Sequence, residues 1–374
     1  MAKRDRSMEI VTDMLGRTGV SINGEHPWDF RVYDERVFGR ILAQGTLGLG
    51  EAYMDGWWDA DCLDRFFEKV ISAGLASEIR KDFGTILKIV IAVLTNRQTK
   101  RRSLIVGEEH YDLGNDLYEA MLDKRLVYTC AYWKDTTTLD EAQEQKLDLV
   151  CRKLKLAPGM RVLDIGCGWG SFAKYAAETY GVSVVGITVS KEQVELAQEN
   201  CKGLPVEIRL QDYRDLNEKF DCIVSLGMFE HVGYRNYREY FRVASKCLDE
   251  NGLFLLHTIG DNRSSVSTDP WIEQYIFPNG MLPSISQIGK AIEDLFIMED
   301  MHNFGADYDK TLMAWYANFE RHWPELKGKY GERFFRMWKY YLLSCAGSFR
   351  ARNIQLWQIV LSKRGLPGGY ESVR

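Results

Sequence analysis

The chain has 374 residues, of which 45% are apolar and 27% charged, with a net charge of −5. That length allows two or three domains, and the apolar share is enough for packed cores. The charge balance excludes a disordered chain and a generally basic nucleic-acid binder, so no nucleic-acid partner is expected. The one long apolar run, Thr85–Leu94, is ten residues long and contains Lys88, whereas a membrane-spanning helix needs ~20. The N-terminus is polar and leads into no signal-type apolar core. These features predict a soluble, cytoplasmic protein. Its unusual feature is an aromatic load of 10 Trp, 19 Tyr and 17 Phe, which supplies many flat apolar faces.

Residues 1–95 carry no chemical motif. They include an aromatic stretch, Ala52-Tyr53-Met54-Asp55-Gly56-Trp57-Trp58, and a candidate helical face made of Ile86, Leu87, Val90, Ile91 and Leu94. The basic segment 96–103, with Arg97, Lys100, Arg101 and Arg102, reads as an exposed linker. The expected division is therefore an accessory domain at 1–95, a linker at 96–103 and a catalytic domain at 104–374.

From about residue 150 the pattern alternates between strand and helix. Strands are expected at Arg161–Ile165, Ser183–Thr188, Val206–Leu210, Cys222–Leu226 and Leu253–Ile259. Helices are expected at Ser171–Tyr180, Lys191–Asn200 and Tyr234–Leu248, with Ser190 as an N-cap. Leu312, Trp315, Tyr316, Phe319 and Trp323 keep a helical rhythm, and a last strand is expected at Ile354–Leu361. Such alternation predicts an α/β fold around a mostly parallel sheet covered on both faces. The eight cysteines are scattered with no C-x-x-C pair, so reduced thiols and no metal site are expected.

The strongest chemical signal is Val162-Leu163-Asp164-Ile165-Gly166-Cys167-Gly168-Trp169-Gly170. A strand runs into an acid, then into glycines at alternate positions, then into a helix. Glycines let a ligand approach the backbone, and an open α/β sheet binds ligands at the carboxyl ends of its strands. An acid at that position repels a pyrophosphate but suits a cationic amino-acid group. The pattern therefore points to S-adenosylmethionine (SAM) held by Asp164, Gly166, Gly168 and Gly170. The second strand ends at Thr188 without a ribose-binding acid, which leaves Thr188 and Gln193 as candidate ribose partners. Tyr213, after the third strand, is a candidate to flank adenine.

Four further segments mix titratable residues with small or aromatic ones: Tyr128–Trp133, Gly227–Gly233, Leu256–Gly260 and Asn303–Tyr308. Each alone has an ordinary structural reading. Together with the glycine loop, Pro270-Trp271-Ile272 and Phe349–Gln358, they closely resemble the cyclopropane-fatty-acyl-phospholipid and mycolic-acid cyclopropane synthases over nearly the whole chain. The resemblance implies a doubly wound, seven-stranded SAM-methyltransferase sheet with a smaller, mainly helical N-terminal domain. It implies methyl transfer from SAM to the cis double bond of an unsaturated acyl chain in a membrane phospholipid, with a bound bicarbonate as base. It places Tyr128 and Thr129 in the cofactor site and carries Cys130, Glu230, His257, Ile259 and Tyr308 over as the bicarbonate pocket.

In that pocket His257 and Tyr308 can donate to the anion, Cys130 offers a weak donor, and the Ile259 carbonyl can accept. Glu230 is expected to orient His257 or to accept the anion's proton. The resemblance further implies a homodimer acting peripherally at the inner face of the membrane. Trp57-Trp58, the Ile86–Leu94 face and the Arg97–Arg102 run are the candidate lipid contacts. The alternatives are a lipid methyltransferase giving a methyl-branched or methylene product, a small-amine N-methyltransferase, and a non-catalytic lipid- or SAM-binding module.

Overall fold

The computed structural model describes residues 2–74 and 114–374, so the candidate face at 86–94 and the basic linker lie outside the described residues. The chain divides into two compact units.

One unit is built on a seven-stranded sheet in the order β5-β4-β3-β6-β7-β9-β8. Its strands are β3 (Arg161–Ile165), β4 (Ser183–Thr188), β5 (Val206–Leu210), β6 (Phe220–Leu226), β7 (Leu248–Asp261), β8 (Ile297–Asn303) and β9 (Ile354–Ser362). Strands β3 to β7 pair in parallel, and β8 pairs antiparallel to β9. Because β4 lies on one side of β3 and β6 on the other, the strand order reverses at β3. The carboxyl end of β3 is therefore the switch point where open sheets of this kind bind ligands.

Alternation along the central strands feeds two cores. Leu163, Ile165, Val185, Ile187 and Ile223 pack on one face with aromatic residues of the Tyr237–Cys247 helix. Val162, Val184, Cys222 and Val224 pack on the other face with the Leu139–Lys153 and Ser171–Tyr180 helices.

The β3, β4 and β5 strands and the helices Ser171–Tyr180 and Lys191–Asn200 match the expected bounds. Ser190 caps its helix by accepting from Gln193 N at 3.3 Å. Strand β8 had no individual sequence signal. Its residues, Ile297-Met298-Glu299-Asp300-Met301-His302-Asn303, are half polar, as suits an edge strand with one neighbour.

The other unit gathers the described part of Met1–Thr95 with Ser267–Pro278 and Tyr308–Ile354. The long C-terminal helices Ala306–Tyr330 and Glu332–Arg350 thus fall almost wholly in this unit, where Glu332–Arg350 packs against Leu63–Ser72 and Arg36–Met54, whereas the expected division placed them with the rest of 104–374. Close packing explains the difference. A methyl placed on Gly347 would press on the Asp64 carbonyl and Phe67, and one on Gly50 would overlap the Trp271 indole. The Arg350 guanidinium clamps Asp309 at 2.9 and 2.8 Å and reaches Asp64 at 2.6 Å.

A short antiparallel pair of β1 (Arg31–Val32) and β2 (Trp58–Asp59) lies in this unit. Trp58 is fully buried there: its ring stacks on Phe30 at 4.5 Å, and its N–H donates to the Leu49 carbonyl at 2.9 Å. That corrects the expectation for the Trp57-Trp58 pair, since Trp58 is core and unavailable to lipid. Trp57 instead carries the Arg36 and Arg40 guanidiniums over its ring at 4.5 and 4.9 Å. Among the described residues no helix is long and apolar enough to cross a membrane.

Candidate active site

At the end of β3 the backbone N–H groups of Gly166 and Cys167 both donate to the Ile187 carbonyl, at 2.9 and 3.0 Å, which fastens the loop to β4. Gly166 has φ +84° and sits against Met228, so a side chain there would be both strained and blocked. Gly168, at φ +54°, differs: a methyl built on it meets no protein atom, so the loop turns a bare backbone toward open space. Asp164, two residues before Gly166 on β3, is buried, and burial raises its carboxyl to about 7 while Lys146 acts to lower it. An open backbone edge with a buried acid just before it in the chain fits an ammonium-bearing ligand such as SAM.

The other sequence-predicted cofactor residues lie on or next to the strands and segments that flank the sheet. Thr188 Oγ1 donates to Gln193 Oε1 at 2.7 Å, so the two ribose candidates are brought together and buried. The Tyr128 ring meets Tyr118 edge-on at 5.2 Å, and Tyr118 in turn packs on the loop residue Trp169 at 4.9 Å. Tyr213 follows β5 in a single helical turn and lies edge-on to Tyr240 at 5.2 Å, so its ring is packed in the core beside the sheet end.

Thr129 is held by residues that local sequence did not single out. Gln143 Nε2 donates to its carbonyl at 2.8 Å, and the buried Lys146 ammonium donates to its hydroxyl at 2.7 Å. Both donors lie three apart on one face of the Leu139–Lys153 helix. Burial lowers the Lys146 ammonium to about 8, offset in part by Asp123, Cys130 and Asp164.

The residues expected to hold the anion lie on or just after sheet strands, apart from Cys130 and Tyr308. Glu230 lies in the short turn Phe229–His231 after β6, and His257 and Ile259 lie on β7. Glu230 Oε1 accepts the Ile259 N–H at 2.7 Å, while its Oε2 is buried with no hydrogen-bond partner among the described residues. Burial raises this carboxyl to about 7, with the Ile259 N–H opposing. His257 Nε2 is a second buried atom without a partner, and its Nδ1 faces the amide nitrogen of Gln358 at 3.3 Å. The side-chain contact on the His257 ring is thus with Gln358, while Glu230 Oε1 is taken by the Ile259 N–H.

Burial, with Lys146 and Lys153 nearby, holds His257 well below its usual range, so the ring is neutral. Cys130 is fully buried and its thiol donates to the Ala131 carbonyl at 3.2 Å. The Ile259 carbonyl accepts from the Thr258 hydroxyl at 3.0 Å. The Trp133 N–H donates to Asp307 at 2.9 Å, which joins the Tyr128–Trp133 segment to the Phe304–Asp307 turn. Tyr308 belongs to the other unit, where its ring stacks on Phe349 at 4.5 Å. Two unpaired buried atoms, one on a carboxyl and one on a neutral imidazole, fit a small anion that can both accept and donate.

The family model for mycolic acid cyclopropane synthetase matches residues 98–359. The chain belongs to the mycolic acid cyclopropane synthetase family. It is 57% identical over 370 residues to the cyclopropane-fatty-acyl-phospholipid synthase of Escherichia coli strain K12, covering 99% of this chain and 97% of that one. Among solved structures, the cyclopropane synthase MmaA2 from Mycobacterium tuberculosis aligns with a TM-score of 0.66 at 32% identity, over 70% of this chain and 98% of that one. The mycolic acid cyclopropane synthase CmaA1, complexed with SAH and CTAB, aligns with a TM-score of 0.65 at 33% identity, over 70% and 98%.

As a member of the cyclopropane synthetase family, the chain is a SAM-dependent methyltransferase. The glycine loop and Glu230 follow the ends of β3 and β6, and His257 lies within β7 opposite the last residue of β6, so position near a strand end was a usable sequence signal for them. Gln143, Lys146 and Gln358 left no such signal. In sequence they read as ordinary residues of a helix and a strand.

Proposed function

We propose that this chain transfers the methyl group of SAM to the cis double bond of an unsaturated acyl chain in a membrane phospholipid, forming a cyclopropane ring. The observation that carries this reading is the 57% identity, along almost the entire chain, to a cyclopropane-fatty-acyl-phospholipid synthase. SAM, when bound, supplies an electrophilic methyl group. Asp164 would hold its ammonium end, the open edge at Gly168 its amino-acid backbone, and Thr188 with Gln193 its ribose. The alkene is a weak nucleophile that needs no deprotonation, so the protein's task is alignment and exclusion of water. The π electrons form a bond to the methyl carbon as its bond to sulfur breaks. Loss of a proton from that methyl then lets the ring close.

Bicarbonate, when bound, supplies a base of low nucleophilicity. The unpaired atoms Glu230 Oε2 and His257 Nε2 support an anion there, with Cys130, the Ile259 backbone and Tyr308 as further contacts. A carboxyl raised to about 7 can hold or release a proton at neutral pH, which suits Glu230 to passing on the proton gained in each turnover. The reading includes peripheral association with the membrane and a homodimer.

Incubation with SAM and unsaturated phospholipid vesicles, followed by proton NMR of the released fatty acids, tests the reading. Ring protons are expected. A methylene or methyl-branched product would move the chain to the alternative chemistry, because mass alone does not separate a ring from an isobaric methylene. Turnover should fall in carefully decarbonated buffer and recover on adding bicarbonate.

A further inference from the structure

We propose that Gln358 is a positioning residue that fixes the tautomer of His257, so that the proton resides on Nε2 and points away from Gln358 into the anion pocket. The inference deepens the functional reading and rests on the anion pocket assigned there. Both residues are fully buried, His257 on β7 and Gln358 on the neighbouring strand β9. The amide nitrogen of Gln358 faces His257 Nδ1 at 3.3 Å. An amide nitrogen can only donate, so Nδ1 must accept. A neutral imidazole with an accepting Nδ1 carries its one hydrogen on Nε2.

Nε2 is the ring atom left buried with no partner among the described residues. As an N–H it is a donor waiting for an anion. As a bare lone pair it would repel one, and it would share a pocket with the likewise unpaired Glu230 Oε2.

The rigidity of the arrangement supports the assignment. Gln358 stands opposite His302 in the β8–β9 ladder, within a strand buried along almost its whole length. The Phe304 ring packs edge-on against the His257 imidazole at 5.9 Å. The nearby charges, Lys146 and Lys153, both disfavour the imidazolium, which would donate from both nitrogens and make the amide's choice irrelevant. With the ring neutral, the orientation of one amide decides which nitrogen bears the hydrogen. A residue far along the chain thereby sets the polarity of the pocket without touching what binds in it.

The test is the nitrogen NMR spectrum of the full-length enzyme labelled with ¹⁵N-histidine, in which a protonated and a bare ring nitrogen of a neutral imidazole are well separated. Six histidines are present, and the His257 signals are assigned by their loss in His257→Asn. The wild type is expected to show the proton on Nε2. In Gln358→Glu the new carboxylate accepts from the ring, so a proton should appear on Nδ1. kcat should fall by roughly 10- to 100-fold while the SAM dissociation constant stays within about twofold, a size usual for residues that orient a functional group. Gln358→Met, which keeps the volume but not the hydrogen bond, should lie between the two.

A wild-type spectrum with the proton on Nδ1 overturns the proposal, and this measurement needs no variant to fold. An unchanged tautomer in a folded Gln358→Glu protein overturns it as well. If the tautomer is as expected while turnover ignores bicarbonate, the positioning role stands and the anion reading falls.

Discussion

Burial raises the Asp164 carboxyl to about 7 and lowers the Lys146 ammonium to about 8, and each charge partly offsets the shift of the other. Replacing Lys146 with Met removes the charge that favours the Asp164 carboxylate and the donor that holds the Thr129 hydroxyl. Asp164 should then ionise at higher pH, so SAM affinity near pH 7 should fall by about tenfold, the equivalent of one pKa unit. Part of it should return on alkaline titration, measured by calorimetry with SAM.

Asp164→Asn separates stability from binding. The wild-type acid ionises at about 3.8 when unfolded and about 7 when folded, so between those values the folded state binds more protons and stability falls as pH rises. The variant lacks this penalty. It should bind SAM poorly yet melt several degrees higher than wild type at pH 8, with the advantage shrinking below pH 7 and gone near pH 4. Glu230→Gln should keep SAM binding in equilibrium dialysis and lose ring formation. Loss of both together would move Glu230 into the cofactor site.

The Leu139–Lys153 helix shows how one element places several functional groups. Gln143, Lys146 and Lys153 repeat at spacings of three and seven, so a single helical face carries all three into the interior. Thr138 caps this helix by accepting from Glu141 N at 3.4 Å. Thr138→Ala should cost about 1 kcal/mol of stability in denaturant titration, with the SAM affinity unchanged. On the sheet, a side chain at Gly260 would overlap the Trp357 ring, and both residues lie on sheet strands. Gly260→Ala should therefore cost about 1–3 kcal/mol, as overpacking does, because an indole wedged in a sheet has nowhere to move.

These elements also mark what local sequence could convey. The β3 loop was legible because strand, acid, glycines and helix follow one another without a break. His257 and Glu230 were legible as polar groups at strand ends. Gln358 was not, since its meaning arises only when a residue 101 positions away meets it. Lys146 read as one more charge on a polar helix, because a lysine that is buried looks the same in sequence as one that is exposed. Trp57 and Trp58 read as a pair, yet one is enclosed in the aromatic core and the other lies under two arginines.

Across the whole molecule, buried titratable groups shape the response to pH. Burial raises Asp123 to about 6 and Asp164 and Glu230 to about 7, so their ionisation weakens the fold as pH climbs from about 4 to 7. Burial lowers Lys146 to about 8 and Lys153 to about 7. Above those values the unfolded chain still binds protons that the folded one has released, so stability is regained up to about pH 10. Burial also holds His231, His257 and His302 below their usual range, which acts in the opposite sense between about pH 4 and 6.5, so the lysine contribution is read from a variant: Lys153→Met should flatten the alkaline rise in a thermal scan across pH.

The unit that contains the N-terminal residues is assembled from three separate stretches of chain. An obvious way to ask whether the first 95 residues serve lipid binding is to delete them. That deletion would strip Phe67 and Tyr53 from Tyr340 and remove the backbone seat of Trp271 at Gly50. Arg336 would lose the carbonyls of Tyr53 and Trp58, and Arg350 its contact to Asp64. The remainder would be half of a broken unit with a raw aromatic face, prone to adhere to vesicles and to itself. For this chain, modular dissection is the wrong tool, and questions about the lipid surface must be put to single residues in the intact protein.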